Sequence, residues 1–128
     1  MFIIDSKGGL DMDEPVLDDR LISLVKVEST YLVHDLMQDD LAEVVLYGSC
    51  ARGDYTEDSD IDIALLTKSD RLEAKKYDEQ LAAIAADLAI KYFAVVNFVC
   101  LPYKEFEEMK TWYPYFRNIA VDGEVLYG

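Results

Sequence analysis

LYGSCARGDYTEDSDIDIALL, residues 46–66, gathers five carboxylates (Asp54, Glu57, Asp58, Asp60 and Asp62) into nine positions and then turns wholly aliphatic. Within it, Asp60 and Asp62 alternate with Ile61 and Ile63. Successive side chains of an extended strand point to opposite faces, so this spacing puts both carboxylates on one face and both isoleucines on the other. One face then carries chemistry and the other joins a core. Just upstream, AEVVLYG (42–48) is a β-branched run ended by Gly48. It reads as a second strand, followed by a residue without a Cβ where a phosphate oxygen can reach the backbone. Ser49 adds a hydroxyl and an amide at the expected start of a short helical turn. Magnesium takes one or two protein carboxylates together with substrate phosphates and water, and two ions roughly 3.5–4 Å apart can clamp attacking and leaving oxygens. The residues alone predict a metal-phosphate site.

Other phosphate and metal loops do not fit. Gly48 and Gly53 have the spacing of a Walker A loop, but Asp54 stands where its lysine belongs. A calcium loop starting at Asp54 would need glycine and glutamate where Ser59 and Leu65 stand, and one starting at Asp58 meets Ile63 and Ser69. A dinucleotide fingerprint needs a third glycine that the stretch lacks.

Outward from this segment the chain alternates helical and extended patterns. Residues 15–39 open with Asp13, Glu14 and Pro15 near a helix start and carry Leu17, Leu21, Val25, Leu32 and Leu36 as one apolar stripe. Residues 71–91 place Tyr77, Leu81, Ile84 and Leu88 on one helical face, and YFAVVNFVCL (92–101) has the aromatic and β-branched content of a strand. Pro102 can begin a helix, Pro114 interrupts it and can start another, and DGEVLYG (122–128) reads as a turn and a brief strand. The order αβ(α)βαβα predicts a mixed α/β (α+β) fold with a small mixed sheet of three to four strands packed with helices.

A length of 128 residues fits one domain, 1–128. Cys50 and Cys100, with only His34 beside them, cannot supply four zinc ligands and read as reduced thiols. No leader pattern opens the chain and no apolar run is long enough to span a bilayer, so a cytoplasmic protein without a membrane segment is expected. The formal net charge is −14, from 26 acidic and 12 basic residues. That charge repels phosphate backbones, and the largest basic cluster is the pair Lys75 and Lys76, which argues against direct nucleic-acid binding. A phosphorylated ligand must bring metal ions or meet backbone amides.

GSCARGDYTEDSDID (48–62) resembles the Gly-Ser, ten residues, Asp-x-Asp signature of the DNA polymerase β-like nucleotidyltransferase superfamily. The strand VVLY, the ARG after the serine and SDIDIALL are similar to its minimal nucleotidyltransferase (MNT) branch. The resemblance implies a nucleotidyltransferase-like fold with a core over about residues 40–101, an N-terminal helix over 15–39 and a C-terminal helical segment over 102–120. It implies metal-dependent transfer of a nucleoside monophosphate from ATP or a similar triphosphate. Asp60 and Asp62 would be catalytic, on Mg2+ or Mn2+, with Gly48 and Ser49 on the phosphates. Arg52 either contacts phosphate or pairs with Asp54 or Asp58. The MNT branch is commonly paired with a helical HEPN ribonuclease toxin and acts as antitoxin by adenylylating one of its tyrosines. A nucleotidyltransferase-like protein that regulates its helical partner by binding alone is the alternative. A subunit modifying a small molecule at a dimer interface, and hence an oligomer, is a weaker third.

One position departs from the family. Active members usually carry a third aspartate on the next core strand, and in YFAVVNFVC the polar inward residue is Asn97. Its amide oxygen can ligate a metal but cannot take a proton or add charge. Either Asn97 sits at the metals and catalysis is weakened or draws its base from elsewhere, or the strand register turns it away. Cys50 reads as packing rather than as a reactive thiol, and His34 as structural or exposed. WYPYF (112–116) reads as core, or as a protein interface where part of it is left exposed. A chain of this length leaves no room for a second substrate domain, so a basic helical partner is expected on residues 102–118 and the first helix.

Overall fold

Asp18 opens the first long helix, α1 (Asp19–Met37): its Oδ1 accepts from the Leu21 amide at 2.8 Å. This satisfies an amide that the helix start leaves without a partner. The helix belongs to a computed structural model of the chain that describes residues 16–128 and, ahead of them, the backbone of β1 (Ile3–Ile4) and β2 (Leu10–Asp11), which pair antiparallel. The helix start expected at Pro15 is therefore moved: residues 16–18 are not helical, and Asp13, Glu14 and Pro15 lie outside the described residues. The buried stripe also differs from the expected one. Ile22, Val25, Ser29, Val33 and Met37 face the core, while Leu21, Leu32 and Leu36 flank them half-buried. Both sets keep three- and four-residue spacing, and an apolar arc this wide does not say which line within it points inward.

Gln38, at φ +51°, stops α1, and a 3₁₀ turn (Gln38–Asp40) leads into β3 (Leu41–Tyr47). After Gly48 come α2 (Ser49–Arg52), a loop and β4 (Ile61–Thr67). The helix expected over 71–91 is divided into α3 (Arg71–Ala74), a 3₁₀ turn (Lys75–Tyr77) and α4 (Asp78–Tyr92). Phe93, at φ +54°, ends α4, so the strand expected from residue 92 begins only at β5 (Val96–Pro102). As expected, Pro102 precedes a helix, α5 (Tyr103–Met109), Pro114 starts α6 (Pro114–Asp122), and a terminal strand follows, β6 (Glu124–Tyr127). No helix of the described residues is long and apolar enough to cross a membrane.

The mixed α/β class holds. One four-stranded sheet has the order β5-β4-β3-β6, with β3 antiparallel to β4 and β6 and β4 parallel to β5. Its fourth strand comes from beyond residue 101, through Glu124, whose carboxylate also accepts from Lys26 Nζ at 2.9 Å. Ile61, Ile63 and Leu65 pack against the α1 and α4 side chains on one face, while Ala64 and Leu66 meet Phe106, Phe116 and Ile119 of α5 and α6 on the other. This explains the pattern DIDIALL. Both faces of β4 are covered from Ala64 onward and require aliphatic side chains, but the second layer stops short of Asp62, which stays half-exposed.

Asp40 ties the far end of the sheet together. Its carboxylate accepts from the Ser69 amide at 2.8 Å, the Ser69 hydroxyl at 2.7 Å and the Tyr77 hydroxyl at 2.8 Å. Burial pushes its pKa up, but the hydrogen bonds from Ser69 and Tyr77 outweigh this and hold it below the usual range. A folded pKa below the unfolded one contributes stability at neutral pH that is lost as the pH falls through the folded value. Asp40→Ala is expected to lower unfolding free energy by about 2–4 kcal/mol at pH 7. In urea titrations the gap from the parent should narrow as the pH drops below about 4.

Candidate functional site

The end of β3 and the starts of β4 and β5 lie side by side, with Tyr47 paired to Asp62 and Asp62 paired to Asn97 across the ladders. Residues directly opposite each other in a sheet project to the same face. Tyr47, Asp62 and Asn97 therefore share the face that α5 and α6 cover further along the strands. Asp60, two residues before Asp62 and just ahead of β4, points to this face as the alternation predicts.

Asn97 is turned toward the aspartates. Its Nδ2 donates to Asp60 Oδ2 at 3.1 Å and to Asp62 Oδ1 at 3.1 Å, so the register that would turn Asn97 away is not the one the structure has. The other oxygen of Asp62 lies against Gly48. Gly48 has φ +77°, and a Cβ there would fall 2.7 Å from Asp62 Oδ2. Two constraints thus select glycine: a left-handed backbone and the carboxylate beside it. Ser49 then heads α2, where the Gly48 carbonyl accepts from the Ala51 and Arg52 amides at 3.1 Å each.

Cys50 is buried, and its Sγ donates to the Asp60 carbonyl at 3.4 Å, fastening α2 to the approach of β4. Burial, then the negative charge of Asp62, pushes its thiol above the usual range, which suits packing rather than nucleophilic attack. Burial likewise pushes Cys100 up to about 11. Arg52 is not brought to the aspartates: Nε meets the exposed Asp54 Oδ2 at 3.2 Å, and Nη1 reaches Oδ2 of the half-buried Asp122 at 3.9 Å. Asp54, Glu57 and Asp58 are exposed on a loop knit by its own hydroxyls, with Ser59 Oγ accepting from the Thr56 amide at 2.9 Å. Of the clustered carboxylates only Asp60 and Asp62 converge. His34 is exposed and packs its ring 5.0 Å from that of Tyr127.

Tyrosines complete the site; the sequence marks Tyr115 only as part of the WYPYF cluster and gives Tyr47 and Tyr55 no role. Tyr47 shares a hydrogen bond of 2.9 Å with the Tyr115 hydroxyl of α6. Burial, this bond and the charge of Asp62 all push Tyr47 far above the usual tyrosine range, so its hydroxyl stays protonated. Tyr55 donates to Asp19 at the head of α1, which raises its pKa to about 12 and anchors the loop. Tyr47 directly precedes Gly48 and could have been placed by strand alternation; Tyr115 has no such signal.

Among the described residues no Lys or Arg pairs with Asp60 or Asp62, and no third His, Cys, Asp or Glu joins them in a metal-binding group. A bare pair of carboxylates beside a Cβ-free backbone fits a hard divalent cation that takes its remaining ligands from phosphates and water. It does not fit a closed zinc site. Gly48→Ala should lose about 1–3 kcal/mol from a backbone conformation (φ +77°, ψ −159°) that only glycine adopts readily, and displace Asp62. Gly53→Ala is the control, since Gly53 has φ +86° but nothing within 4 Å of its added Cβ. In thermal-shift titrations with Mg2+ and ATP, Gly53→Ala should keep the parent's stabilisation and Gly48→Ala should lose it.

The nucleotidyltransferase domain family model matches residues 32–127. Two candidate protein adenylyltransferases of Methanocaldococcus jannaschii are similar: MJ0604 is 33% identical over 68% of this chain and 79% of its own, and MJ0141 is 34% identical over 61% and 76%. Among solved structures, a toxin-antitoxin complex with AMP-PNP superposes with a TM-score of 0.54 at 23% identity, over 80% of this chain and 73% of that one. A mutant of the toxin-antitoxin MntA-HpeT gives 0.52 at 20% identity, with coverage of 80% and 73%. These likenesses show a common fold. The family match, together with the archaeal relatives, means that this chain belongs to the nucleotidyltransferase domain family.

Proposed function

We propose that the protein transfers AMP from ATP to a tyrosine of a basic helical partner, a HEPN-type ribonuclease toxin, and so acts as its antitoxin. The observation that carries this reading is the meeting of Gly48, Asp60 and Asp62 at the ends of neighbouring strands, with an Asp62 carboxylate oxygen too close to Gly48 for a Cβ to fit. Asp60 and Asp62 would hold Mg2+ or Mn2+. The cation, when bound, neutralises phosphate charge and polarises the phosphorus under attack. Gly48 leaves the Asp62 carboxylate room beside the strand end, and Ser49 offers the phosphates its hydroxyl and an amide that the start of α2 leaves without a helical acceptor. The acceptor phenol forms a new bond to the α-phosphorus, the bond to pyrophosphate breaks, and the phenolic proton passes to solvent. Tyr47, buried and bonded to the Tyr115 hydroxyl, stays protonated beside Asp62 and is not a base. Arg52 reaches phosphate only by leaving Asp54.

An exposed aromatic surface supports a protein acceptor. Trp112, Tyr113 and Tyr115 are 63%, 41% and 41% exposed at the junction of α5 and α6. Tyr115 bonds Tyr47, the cross-strand neighbour of Asp62, so this surface runs up to the carboxylates. Exposed aromatic clusters of this kind suit protein interfaces, and a net charge of −14 selects a basic partner. The names of the archaeal relatives and the toxin-antitoxin setting of the structural neighbours support the same reading.

A second reading, regulation by binding alone, is favoured by Asn97, which supplies neither a base nor a third negative charge. The two separate by intact mass of a candidate partner incubated with the protein, ATP and Mg2+. Transfer predicts a gain of one AMP per modified tyrosine, lost in Asp60→Asn with Asp62→Asn. A tight complex with an unchanged partner mass at every metal concentration would leave binding alone.

A further inference from the structure

Asn97 has two amide hydrogens, and each points at a different aspartate, 3.1 Å to Asp60 Oδ2 and 3.1 Å to Asp62 Oδ1. The orientation is dictated by chemistry. An amide oxygen turned to the same place would face two carboxylates with no hydrogen between them. With no Lys or Arg on either aspartate among the described residues, this neutral NH2 group is what offsets their repulsion. Gly48 closes the opposite side of Asp62.

We infer that Asn97 is a positioning residue that latches the pair: its NH2 group bridges Asp60 and Asp62 in the cation-free protein and must swing away before they take a divalent cation. The inference rests on the cation-binding reading of the site. A cation on these oxygens repels N–H dipoles pointing at them, and the terminal side-chain torsion of asparagine is broad and two-fold. A half-turn about that bond exchanges NH2 for Oδ1 while β5 keeps its register with β4. The exposure of Asn97 leaves room for the turn. The latch keeps two like charges ordered at rest, and it makes the cation compete with hydrogen bonds already formed. A site of this kind responds best to an ion that arrives together with nucleotide phosphates.

The test is the side-chain amide signal of Asn97 in 15N-labelled protein, identified by its loss in Asn97→Asp. Asp60→Asn and Asp62→Asn should each shift a different one of its two protons. Mg2+ with ATP should shift both and speed their exchange with water. Asn97→Asp should melt lower than the parent without metal and higher with it, and its half-saturating Mg2+ should fall on the order of 10–100-fold. A merely structural asparagine would change melting by the same amount in both conditions. Amide protons indifferent to both aspartate substitutions would overturn the latch. So would protons unmoved by Mg2+ over the range in which the Asp60- and Asp62-dependent melting shift saturates. A parent with no such melting shift would refute the cation reading and the release step with it, while the two aspartate variants would still decide the bridge.

Discussion

The carboxylate of Asp62 is held between a missing side chain and an amide. Gly48 leaves the space for one oxygen and Asn97 bonds the other. Both partners arrive through strand register, Tyr47 and Asn97 lying opposite Asp62 on its two neighbouring strands. A slip of one residue in either ladder would send these side chains to the other face. The site is therefore a consequence of the sheet, and the sheet is fixed by Ile61, Ile63 and Leu65, all fully buried against α1 and α4.

That coupling explains why negative charge stands at the start of a buried strand. β4 passes under two helical layers, but the α5–α6 layer covers it only from Ala64 onward. Asp62 lies just outside this cover, close enough to be rigid and open enough to remain solvated. Rigid placement of like charges costs stability that a solvent-facing polar pair would not, and sites built for ligands commonly carry such local costs. Asp54, Glu57 and Asp58 add to the negative potential from an exposed loop without joining the site. Asp40, with partners for both of its oxygens, shows how the same fold treats a carboxylate whose work is structural.

Much of this was legible in the residues. The alternation Asp-Ile-Asp-Ile assigns faces without any tertiary information, and Gly48 followed by Ser49 marks a strand end with a special backbone. Pro102 and Pro114 mark the starts of the last helices because proline fixes φ and tolerates the first turn. Other features depend on contacts between distant segments. The stripe of α1 was displaced toward Ile22 and Val33 because only packing on the sheet chooses among adjacent lines of an apolar arc. The strand expected from residue 92 starts only at Val96 because aromatic residues close α4 as readily as they begin a strand, and Phe93 ends the helix with a left-handed turn. Arg52, expected on phosphate or paired with Asp54 or Asp58, meets Asp54 in the structure. The reach of Tyr115 to Tyr47 joins positions 68 residues apart and leaves no trace in local pattern.

The proposed function requires Asp60 and Asp62 to form, with Gly48 and Ser49, a single nucleotide and metal site. It is tested most directly by anomalous scattering from crystals grown with Mn2+ and a non-hydrolysable ATP analogue. The account predicts a manganese peak on the Asp60 and Asp62 carboxylates, with triphosphate density over Gly48 and Ser49. Manganese bound elsewhere, or triphosphate density remote from Gly48 with these carboxylates still bridged by Asn97, would contradict it.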